Sequence, residues 1–411
     1  MNIGIVSTWF ERGAAYVSKA YLQTLSRSHK VFIYARGGEK FGKGDPNWDS
    51  SNVHWGKIYK SRIPSYIDWP DFEKWVDQNQ LQLLIFNEQI SWDIILKCHY
   101  RLKIPIGSYI DYYKKDTVQF FKYYDFLLCN TERHYSVFRW HENAIFIPWG
   151  TDTELLTPPN PPNLSNGQKD ITFFHSCGMS PYRKGTDLVV EAFKHLPGAQ
   201  ILIIHAQSKD RIDAVLRKEI ESDDRIKLIE DEIPLPGVYH LGDIYVYPSR
   251  LDGIGLTIAE AMACGLPVIT TNEPPMNEFV KDGFNGKVVK VNNYKNRYDN
   301  YYWPESECDA ADLANAMNYY LVNSDQLPIH KKNARIYAEK YLNWNTNSIS
   351  LNDTVFTIKK NENKISWLIL FKIILNEYTF LNYPPTFLVT IIKTLGLGKI
   401  LFMIKKIFHR V

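Results

Sequence analysis

The sequence contains little cysteine, and none of it is spaced as a recognisable motif. Its five cysteines, at positions 98, 129, 177, 264 and 308, are scattered over 411 residues, odd in number and never arranged as Cys-x-x-Cys. They are predicted to be core or surface thiols in a reducing compartment. The amino terminus, MNIGIVSTWF, also lacks the basic region and apolar core of a signal peptide. The expected location is therefore the cytoplasm.

A strong excess of one charge is also absent. The chain has 48 lysine and arginine residues against 45 aspartate and glutamate residues, so its formal net charge is only +3. This balance, without a basic stripe and interleaved aromatic residues in the main domains, argues against a nucleic-acid partner. An Asp-x-Asp metal motif is missing as well. The 45% apolar and 23% charged residues indicate a globular protein, and the length allows two domains and a further segment.

The stretch from Asp243 to Gly286 has the pattern of one βαβ unit. An apolar run, Ile244–Tyr247, is typical of a buried strand, and a turn rich in glycine follows it. A helix is predicted over Leu256–Cys264, and a second strand begins at Val268. Free backbone N–H groups and the helix dipole at such a turn favour phosphate binding, here at Gly255, Leu256 and Thr257.

Two carboxylates complete this pattern. Asp252 and Glu260 are eight positions apart, and Glu260 lies about one helical turn beyond the phosphate position, where it could accept hydrogen bonds from sugar hydroxyls. The two acids resemble the acidic-x7-Glu donor signature of family 4 glycosyltransferases, together with Gly253, Gly255, Ala261, Gly265 and Pro267. In that family the first acid is usually glutamate, whereas here it is Asp252. The resemblance covers about residues 1–358.

The resemblance implies an α/β protein with two facing Rossmann-like domains, the GT-B fold. It implies an amino-terminal acceptor domain over 1–157, a linker over 158–167, a donor domain over 168–344 and a crossover helix over 345–358. The run PPNPPNLSNG, from Pro158, has linker composition. In more detail, a helix is predicted over Tyr16–Ser28 and a loop over Asn292–Pro304.

The resemblance also assigns roles to individual residues. The donor-binding residues are expected to be Gly13, Gly253, Ile254, Gly255, Leu256, Thr257 and Glu260, and the catalytic residues Asp252, Lys184, Arg183 and Asp111. Lys184-Gly185 matches a Lys-Gly pair that neutralises the donor diphosphate, but Met179 replaces the usual upstream arginine. Arg183 is the nearby guanidinium that could substitute for it.

Each of the less specific assignments has a plain structural alternative. Lys184 and Arg183 could be a solvated helix start, and Gly13 could form a simple tight turn. Asp111 follows a predicted strand, Ile104–Ile110, at the sheet edge where ligands bind, and many family members have a histidine near this place. It could instead cap a helix or pair with Lys114 or Lys115.

The segment 359–411 differs from the rest of the chain. It carries nine basic and two acidic residues, hence a charge of +7, which leaves −4 for the remainder. Its apolar stretches are interrupted by lysine, and the longest charge-free run is about 15 residues, short of the roughly 20 that a spanning helix needs. An amphipathic tail that binds anionic lipid is predicted, with a helical appendage packed on the enzyme as the alternative.

These features predict a retaining glycosyltransferase that uses a UDP- or GDP-linked sugar and needs neither a metal nor another cofactor. The acceptor is expected to be a glycan or lipid-linked intermediate of surface polysaccharide or glycolipid assembly, reached from the inner face of the membrane. Two other interpretations stay open at this point. One is a nucleotide-sugar epimerase or phosphorylase on a similar fold, and the other is a non-catalytic partner subunit that resembles a transferase.

Overall fold

A computed structural model describes residues 1–37, 41–58, 65–159, 171–230 and 237–361. These residues form two compact units. The first unit comprises Met1–Leu128, Phe138–Ile145 and the described residues from Leu351 onward, and the second comprises Cys129–Val137 and Phe146–Ser350. Most of the predicted linker 158–167 and most of the predicted tail 359–411 lie outside the described residues.

The chain begins with a sheet of seven strands and the helices that connect them. The strands are β1 (Asn2–Ser7), β2 (Lys30–Ala35), β3 (Val53–Trp55), β4 (Leu83–Asn87), β5 (Ile106–Tyr109), β6 (Phe126–Cys129) and β7 (Ala144–Phe146). The helices are α1 (Gly13–Leu25), α2 (Trp69–Gln78), α3 (Trp92–Arg101) and α4 (Glu132–Phe138). The spatial order is β3-β2-β1-β4-β5-β6-β7, and β1 pairs in parallel with both β2 and β4.

A second sheet has six strands, and a short hairpin follows it. The strands are β8 (Thr172–Gly178), β9 (Ile201–Ala206), β10 (Ile226–Glu230), β11 (Ile244–Tyr247), β12 (Val268–Thr271) and β13 (Gly286–Val289), and the hairpin is β14 (Asn293–Lys295) with β15 (Glu305–Glu307). The helices are α5 (Pro181–Lys184), α6 (Thr186–Lys194), α7 (Ala214–Glu221), α8 (Leu256–Ala263), α9 (Met276–Phe279), α10 (Ala310–Val322), α11 (Gln326–Tyr341) and α12 (Trp344–Asn347).

The order of the second sheet determines where a ligand can bind. It is β10-β9-β8-β11-β12-β13, and every registered pair of neighbours is parallel. The chain therefore builds outward from β8 on one side and from β11 on the other. In open parallel sheets, ligands bind beyond the carboxyl ends of the two strands where the order reverses. For this sheet those strands are β8 and β11.

Burial on both faces explains why these segments form strands of a parallel sheet. All four residues of β11 and all four of β12 are buried. Such strands need helices on both sides, because both faces of an apolar strand in the middle of a parallel sheet must be shielded from water. The predicted fold of two parallel α/β sheets is confirmed by this architecture. Within the described part of the chain, no helix combines the length and the hydropathy needed to cross a bilayer.

One predicted element is displaced by three residues in the structure, and another is of a different kind. The first helix begins at Gly13, three residues earlier than predicted, because the extended Arg12 already serves as its N-cap. The expected loop Asn292–Pro304 contains β14, which pairs with β15 in antiparallel register, Tyr294 facing Ser306. Three-residue strands are too short to show the alternation that identifies a strand in sequence.

The last described residues belong to the first unit. A final helix, α13 (Leu351–Thr357), packs on α1, where the Asn352 side chain donates to the carbonyl of Thr24 over 3.1 Å. Further on, the ammonium group of Lys360 lies 3.5 Å from the buried carboxylate of Asp125. The backbone N–H of Asn361 donates to the same carboxylate over 2.5 Å. The chain is therefore tied to the first unit as far as Asn361.

Candidate functional site

Two loops meet at the carboxyl ends of β8 and β11. After β8 the chain passes through α5, which ends with Arg183 and Lys184, and turns at Gly185 with φ +74°. A Cβ atom at Gly185 would lie 2.4 Å from the carbonyl oxygen of Pro248, so glycine is required for this close approach. The backbone N–H of Arg250 donates to the carbonyl of Arg183 over 2.8 Å. The loop after β8 is thereby held against the loop after β11.

A buried histidine links the strands beneath these loops. His175 Nδ1 lies 2.8 Å from the carbonyl oxygen of Val246, and its Nε2 lies 2.9 Å from Oγ1 of Thr186. Because a carbonyl only accepts, Nδ1 carries the proton and Nε2 accepts from the threonine hydroxyl. Burial lowers the pKa of His175 to about 4, so the imidazole is neutral at physiological pH. One side chain thus joins β8, β11 and the start of α6.

Asp252 is the centre of a network of charges. It is 7% exposed, and its two carboxylate oxygens lie 2.8 and 2.9 Å from the ammonium of Lys184. The guanidinium of Arg183 lies 3.2 Å from Oδ1 of Asp252, and the hydroxyl of Tyr247 donates to Oδ2 over 2.5 Å. Lys184 also donates to the Tyr247 hydroxyl. The structure therefore brings together three of the four residues predicted to be catalytic.

The two signs of charge in this network stabilise each other. Burial alone would raise the pKa of Asp252, but Lys184 and Arg183 outweigh it and hold that pKa well below the usual range. Burial lowers the pKa of Lys184 to about 8, although the Asp252 carboxylate opposes the shift. A buried cation with a lowered pKa is common where a protein neutralises charge on a ligand. Arg183 is more exposed than Lys184 and keeps its charge.

Glu260 has a partner that the sequence did not suggest. The hydroxyl of Tyr239, which lies in a short 3₁₀ turn before β11, donates to Oε2 of Glu260 over 2.5 Å. Burial raises the pKa of Glu260, while this hydrogen bond and the charge of Lys184 oppose the rise. The Tyr239 bond leaves the second carboxylate oxygen, Oε1, to accept from a ligand hydroxyl.

The start of α8 has the properties of an anion site. Gly255 is its N-cap with φ +87°, a left-handed conformation that favours glycine. No side chain caps the helix there, so the first N–H groups, including those of Leu256 and Thr257, are left for another acceptor. Ile254 is buried and points away from solvent, which anchors the turn.

A histidine from α4 holds the preceding glycine. His134 Nε2 lies 3.0 Å from the carbonyl oxygen of Gly253. Burial lowers the pKa of His134 to about 3, so the ring is neutral and Nε2 donates its proton to the carbonyl. The conformation of the turn between Asp252 and Gly255 is thus supported by a side chain more than a hundred residues away in sequence.

The hairpin is attached beside the same turn through Arg250. The guanidinium of this buried residue binds both oxygens of Asp187 at 2.7 Å and an oxygen of Glu307 at 2.5 Å. The backbone N–H of Ser306 donates to the carbonyl of Arg250 over 2.8 Å. Because Arg250 is two residues from Asp252, β15 is attached next to the charge network.

The remaining predicted residues lie elsewhere. Gly13 and Asp111 belong to the first unit, where Gly13 begins α1 and Asp111 follows β5 by two residues. Met179 is exposed, and its carbonyl accepts from Arg211 over 3.1 Å. Among the described residues, no group of three or more His, Cys, Asp and Glu side chains is arranged to hold a metal ion.

Comparisons of the sequence with known families agree with the resemblance. Residues 162–299 match the family model described as glycosyl transferases group 1. A D-inositol 3-phosphate glycosyltransferase from Xylanimonas cellulosilytica is 28% identical over 35% of this chain and 38% of its own length. The lipopolysaccharide core biosynthesis mannosyltransferase LpsB from Rhizobium meliloti is 30% identical over 33% of this chain and 42% of its own length. The chain thus spans about two fifths of the length of these curated relatives.

Solved structures extend the likeness in fold. The structure of Alr3699/HepE from Anabaena in complex with UDP covers 87% of this chain and 100% of its own, with a TM-score of 0.67 and 16% identity. At this identity the likeness concerns the fold alone, and it confirms the predicted fold class. The family match falls on the sheet that holds the charge network, α8 and Glu260.

Proposed function

Since residues 162–299 match the family model of glycosyl transferases group 1, we propose that the chain is a retaining glycosyltransferase whose donor is a UDP- or GDP-linked sugar. The observation that carries this proposal is the meeting of Lys184, Arg183, Asp252 and the start of α8 at one switch point, with Glu260 in the same helix. Two cations and a helix N-terminus suit a diphosphate, and a carboxylate one turn away suits a ribose.

The network suggests how charge moves when a donor binds. Without a donor, Asp252 neutralises Lys184 and Arg183. A bound diphosphate would compete for the same cations, and Asp252 would then be free to accept hydrogen bonds from the donor sugar. As the bond to the sugar breaks, negative charge grows on the diphosphate, and Lys184, Arg183 and the N–H groups of α8 stabilise it. In this proposal the fixed cations do the work of a metal ion.

The acceptor is proposed to be a glycan or a lipid-linked intermediate of surface polysaccharide or glycolipid assembly. Two features support this part. One relative acts in lipopolysaccharide core biosynthesis by its name. The segment 359–411 carries a charge of +7 and long apolar stretches, which suit an anionic membrane surface. We propose in addition that the enzyme acts in the cytoplasm, at the inner face of the membrane.

Calorimetric titration of UDP and GDP tests the donor site. The unaltered protein should bind one of them, and Glu260→Ala should weaken that binding about ten- to a hundredfold, because a buried charge-assisted hydrogen bond contributes about 1.5–3 kcal/mol. Glu260→Gln keeps a hydrogen-bond acceptor for Tyr239 and therefore controls for folding. It should also bind the nucleotide weakly, because it lacks the negative charge of Glu260. Glu219→Ala, at an exposed ion pair with Lys194, should bind as the unaltered protein does.

The reaction itself is tested with the sugar nucleotides of the preferred base. We expect the sugar to be released from the nucleotide or to be incorporated into a lipid extract. The product should keep the anomeric configuration of the donor. An epimerised nucleotide sugar formed without acceptor would contradict transfer. Failure to bind either nucleoside diphosphate, with correct folding, would point to a non-catalytic partner subunit.

A further inference from the structure

The hairpin in the second unit is unusually rich in aromatic residues. Between positions 294 and 303, five of ten residues are aromatic, namely Tyr294, Tyr298, Tyr301, Tyr302 and Trp303. Four asparagines, at positions 292, 293, 296 and 300, lie among them or next to them. The donor chemistry proposed above uses none of these side chains.

Two of the rings face solvent. Tyr298 is 97% exposed, and nothing in the described part of the chain covers it. Tyr294 is 55% exposed, yet its position is fixed because its hydroxyl donates to Glu273 over 2.8 Å. A large exposed aromatic side chain that is held in place, as Tyr294 is, is characteristic of a binding surface, since exposure of a ring to water is unfavourable.

Three separate contacts hold the hairpin beside the loop that follows β11, residues 248–255, here called the donor loop. Ser306 in β15 binds the backbone of Arg250, as described above. Glu273, the partner of Tyr294, comes just after the carboxyl end of β12. The guanidinium of Arg133 lies over the ring of Trp303 at 4.4 Å, and the next residue, His134, binds the carbonyl of Gly253. The exposed rings therefore belong to the same end of the sheet as the charge network.

The charges of the hairpin help to decide what it binds. Residues 292–307 carry two cationic and three anionic side chains, so the net charge is −1. One of the two cations, Arg297, is paired with Asp299 at 2.6 Å. A segment of this charge is not attracted to anionic lipid or to nucleic acid. Tyrosine rings with amide groups between them suit a neutral ligand that has both an apolar face and hydroxyl groups.

We propose that the hairpin 292–307 is a saccharide-binding element, in which Tyr298 and Tyr294 stack on the C–H faces of sugar rings of the acceptor glycan. Asn293, Asn296 and Asn300 would bind the sugar hydroxyl groups, whereas the Asn292 side chain donates to Asp309. The inference rests on the proposed function, because that function supplies a glycan near the donor loop. It adds an acceptor subsite to the second unit. Arg250, which is two residues from Asp252, connects this subsite to the charge network.

Binding of the full chain to an array of immobilised oligosaccharides, built from hexoses, N-acetylhexosamines and uronic acids, tests the proposal. The nucleoside diphosphate that calorimetry selects is present throughout. Tyr298→Ala should weaken binding to the retained saccharides about three- to tenfold, the range expected for one aromatic contact. Tyr298→Phe keeps the ring and should bind as the unaltered chain does. Tyr100→Ala is the matched control, because Tyr100 is 60% exposed in the first unit.

Calorimetry on the same variants separates this inference from the proposed function. Unchanged nucleotide affinity of Tyr298→Ala, with weaker saccharide binding, supports the subsite. If the unaltered chain binds nucleotide but no saccharide, or if Tyr298→Ala binds saccharide equally well, the subsite does not exist. A loss in Tyr298→Ala of vesicle binding alone, or of self-association alone, would assign the rings to a membrane or to a second copy and would equally overturn the proposal.

Discussion

Lys184 is the residue whose charge limits the proposed reaction most directly. Its ammonium must be protonated to stabilise the departing diphosphate, and burial lowers its pKa to about 8. The charged form exists below that pKa, so kcat/KM should be constant at lower pH and should fall about tenfold per pH unit above about 8. The quantity kcat/KM is the right one, because it reports groups of the free enzyme.

Lys184→Arg tests this assignment, since a guanidinium keeps its charge throughout this range. The variant should lose some activity at neutral pH because of its different shape, yet its profile should lack the decline above pH 8. Lys194→Arg, at an exposed ion pair with Glu219, should show the same decline as the unaltered protein. A decline of equal size in Lys184→Arg would assign the titration to another group.

At this scale the sequence predicts the charged residues of the site but not their partners. Lys184, Arg183, Asp252 and Glu260 were found through spacing and resemblance. Tyr239 and Tyr247, which bind the two carboxylates, were not. The alternation in β11 does place Tyr245 and Tyr247 on one face, opposite Ile244 and Val246 of the core. In a strand buried on both faces, however, alternation does not reveal which face meets a carboxylate.

His134 illustrates a further limit. It lies in the middle of α4, and its bond to the Gly253 carbonyl joins positions 119 residues apart. A lone histidine in a helix gives no sign of such a contact, because nothing local distinguishes it from a core histidine. Only the folded chain shows that the turn between Asp252 and Gly255 is supported from α4.

At the scale of elements, the joint between α5 and β11 depends on Gly185. In Gly185→Ala, the alanine must adopt φ +74°. Its methyl group would lie only 2.4 Å from the carbonyl oxygen of Pro248, so the backbone must also move. We expect a loss of stability of about 1–2 kcal/mol from the left-handed conformation, with a further loss from the contact. Nucleotide affinity should fall too, because Lys184 and Arg183 are displaced from Asp252.

A second glycine provides the matched control for this experiment. Gly283 has φ +69°, and an added Cβ would meet nothing within 4 Å. Gly283→Ala should therefore show the conformational cost alone, with nucleotide binding unchanged. Thermal unfolding and calorimetry of both variants make the comparison. Equal unfolding temperatures and equal affinities for the two variants would show that the approach to Pro248 does not position the site.

The elements themselves could be predicted where glycine and proline residues bound a clear local pattern. The strand Ile244–Tyr247 has the predicted bounds, and α8 ends one residue earlier than predicted. The hairpin was predicted as a loop, because its strands are short and because it is held by Arg250, from another part of the chain, whose carbonyl accepts from the backbone N–H of Ser306. Tertiary contacts of this kind leave no local pattern.

At the scale of the whole molecule, the βαβ pattern of residues 243–286 predicted a parallel sheet, and the family resemblance predicted two such α/β domains. The assignment of individual segments to the two units could not be predicted from the sequence. Cys129–Val137 belongs to the second unit, while Phe138–Ile145 and the residues from Leu351 belong to the first. Membership of a unit depends on contacts distant in sequence, such as those of Glu278 with the backbone N–H groups of Glu132 and Arg133 at 2.7 and 2.8 Å.

The return of the chain to the first unit determines where a test of the tail should cut. The sequence places the start of the tail at Lys359, but Lys360 and Asn361 both bind the buried carboxylate of Asp125. A chain that ends at Ile358 would lose both partners, and Asp125 would keep the backbone N–H of Ile106 at 2.6 Å. A buried carboxylate with fewer partners costs about 1–3 kcal/mol in stability. A chain that ends at Asn361 avoids this cost.

Truncation after Asn361 is therefore expected to give a stable protein that binds nucleotide with unchanged affinity but no longer sediments with anionic vesicles. The removed segment carries seven basic and two acidic residues, and each basic residue near an anionic surface contributes about 1 kcal/mol. High salt should release the full chain only in part, because its apolar contacts are not screened. Truncation after Ile358 should also leave the vesicles, but it should unfold at a lower temperature. If the chain that ends at Asn361 fails to fold or stays on the vesicles, the segment is instead a structural appendage, or the membrane contact lies elsewhere in the chain.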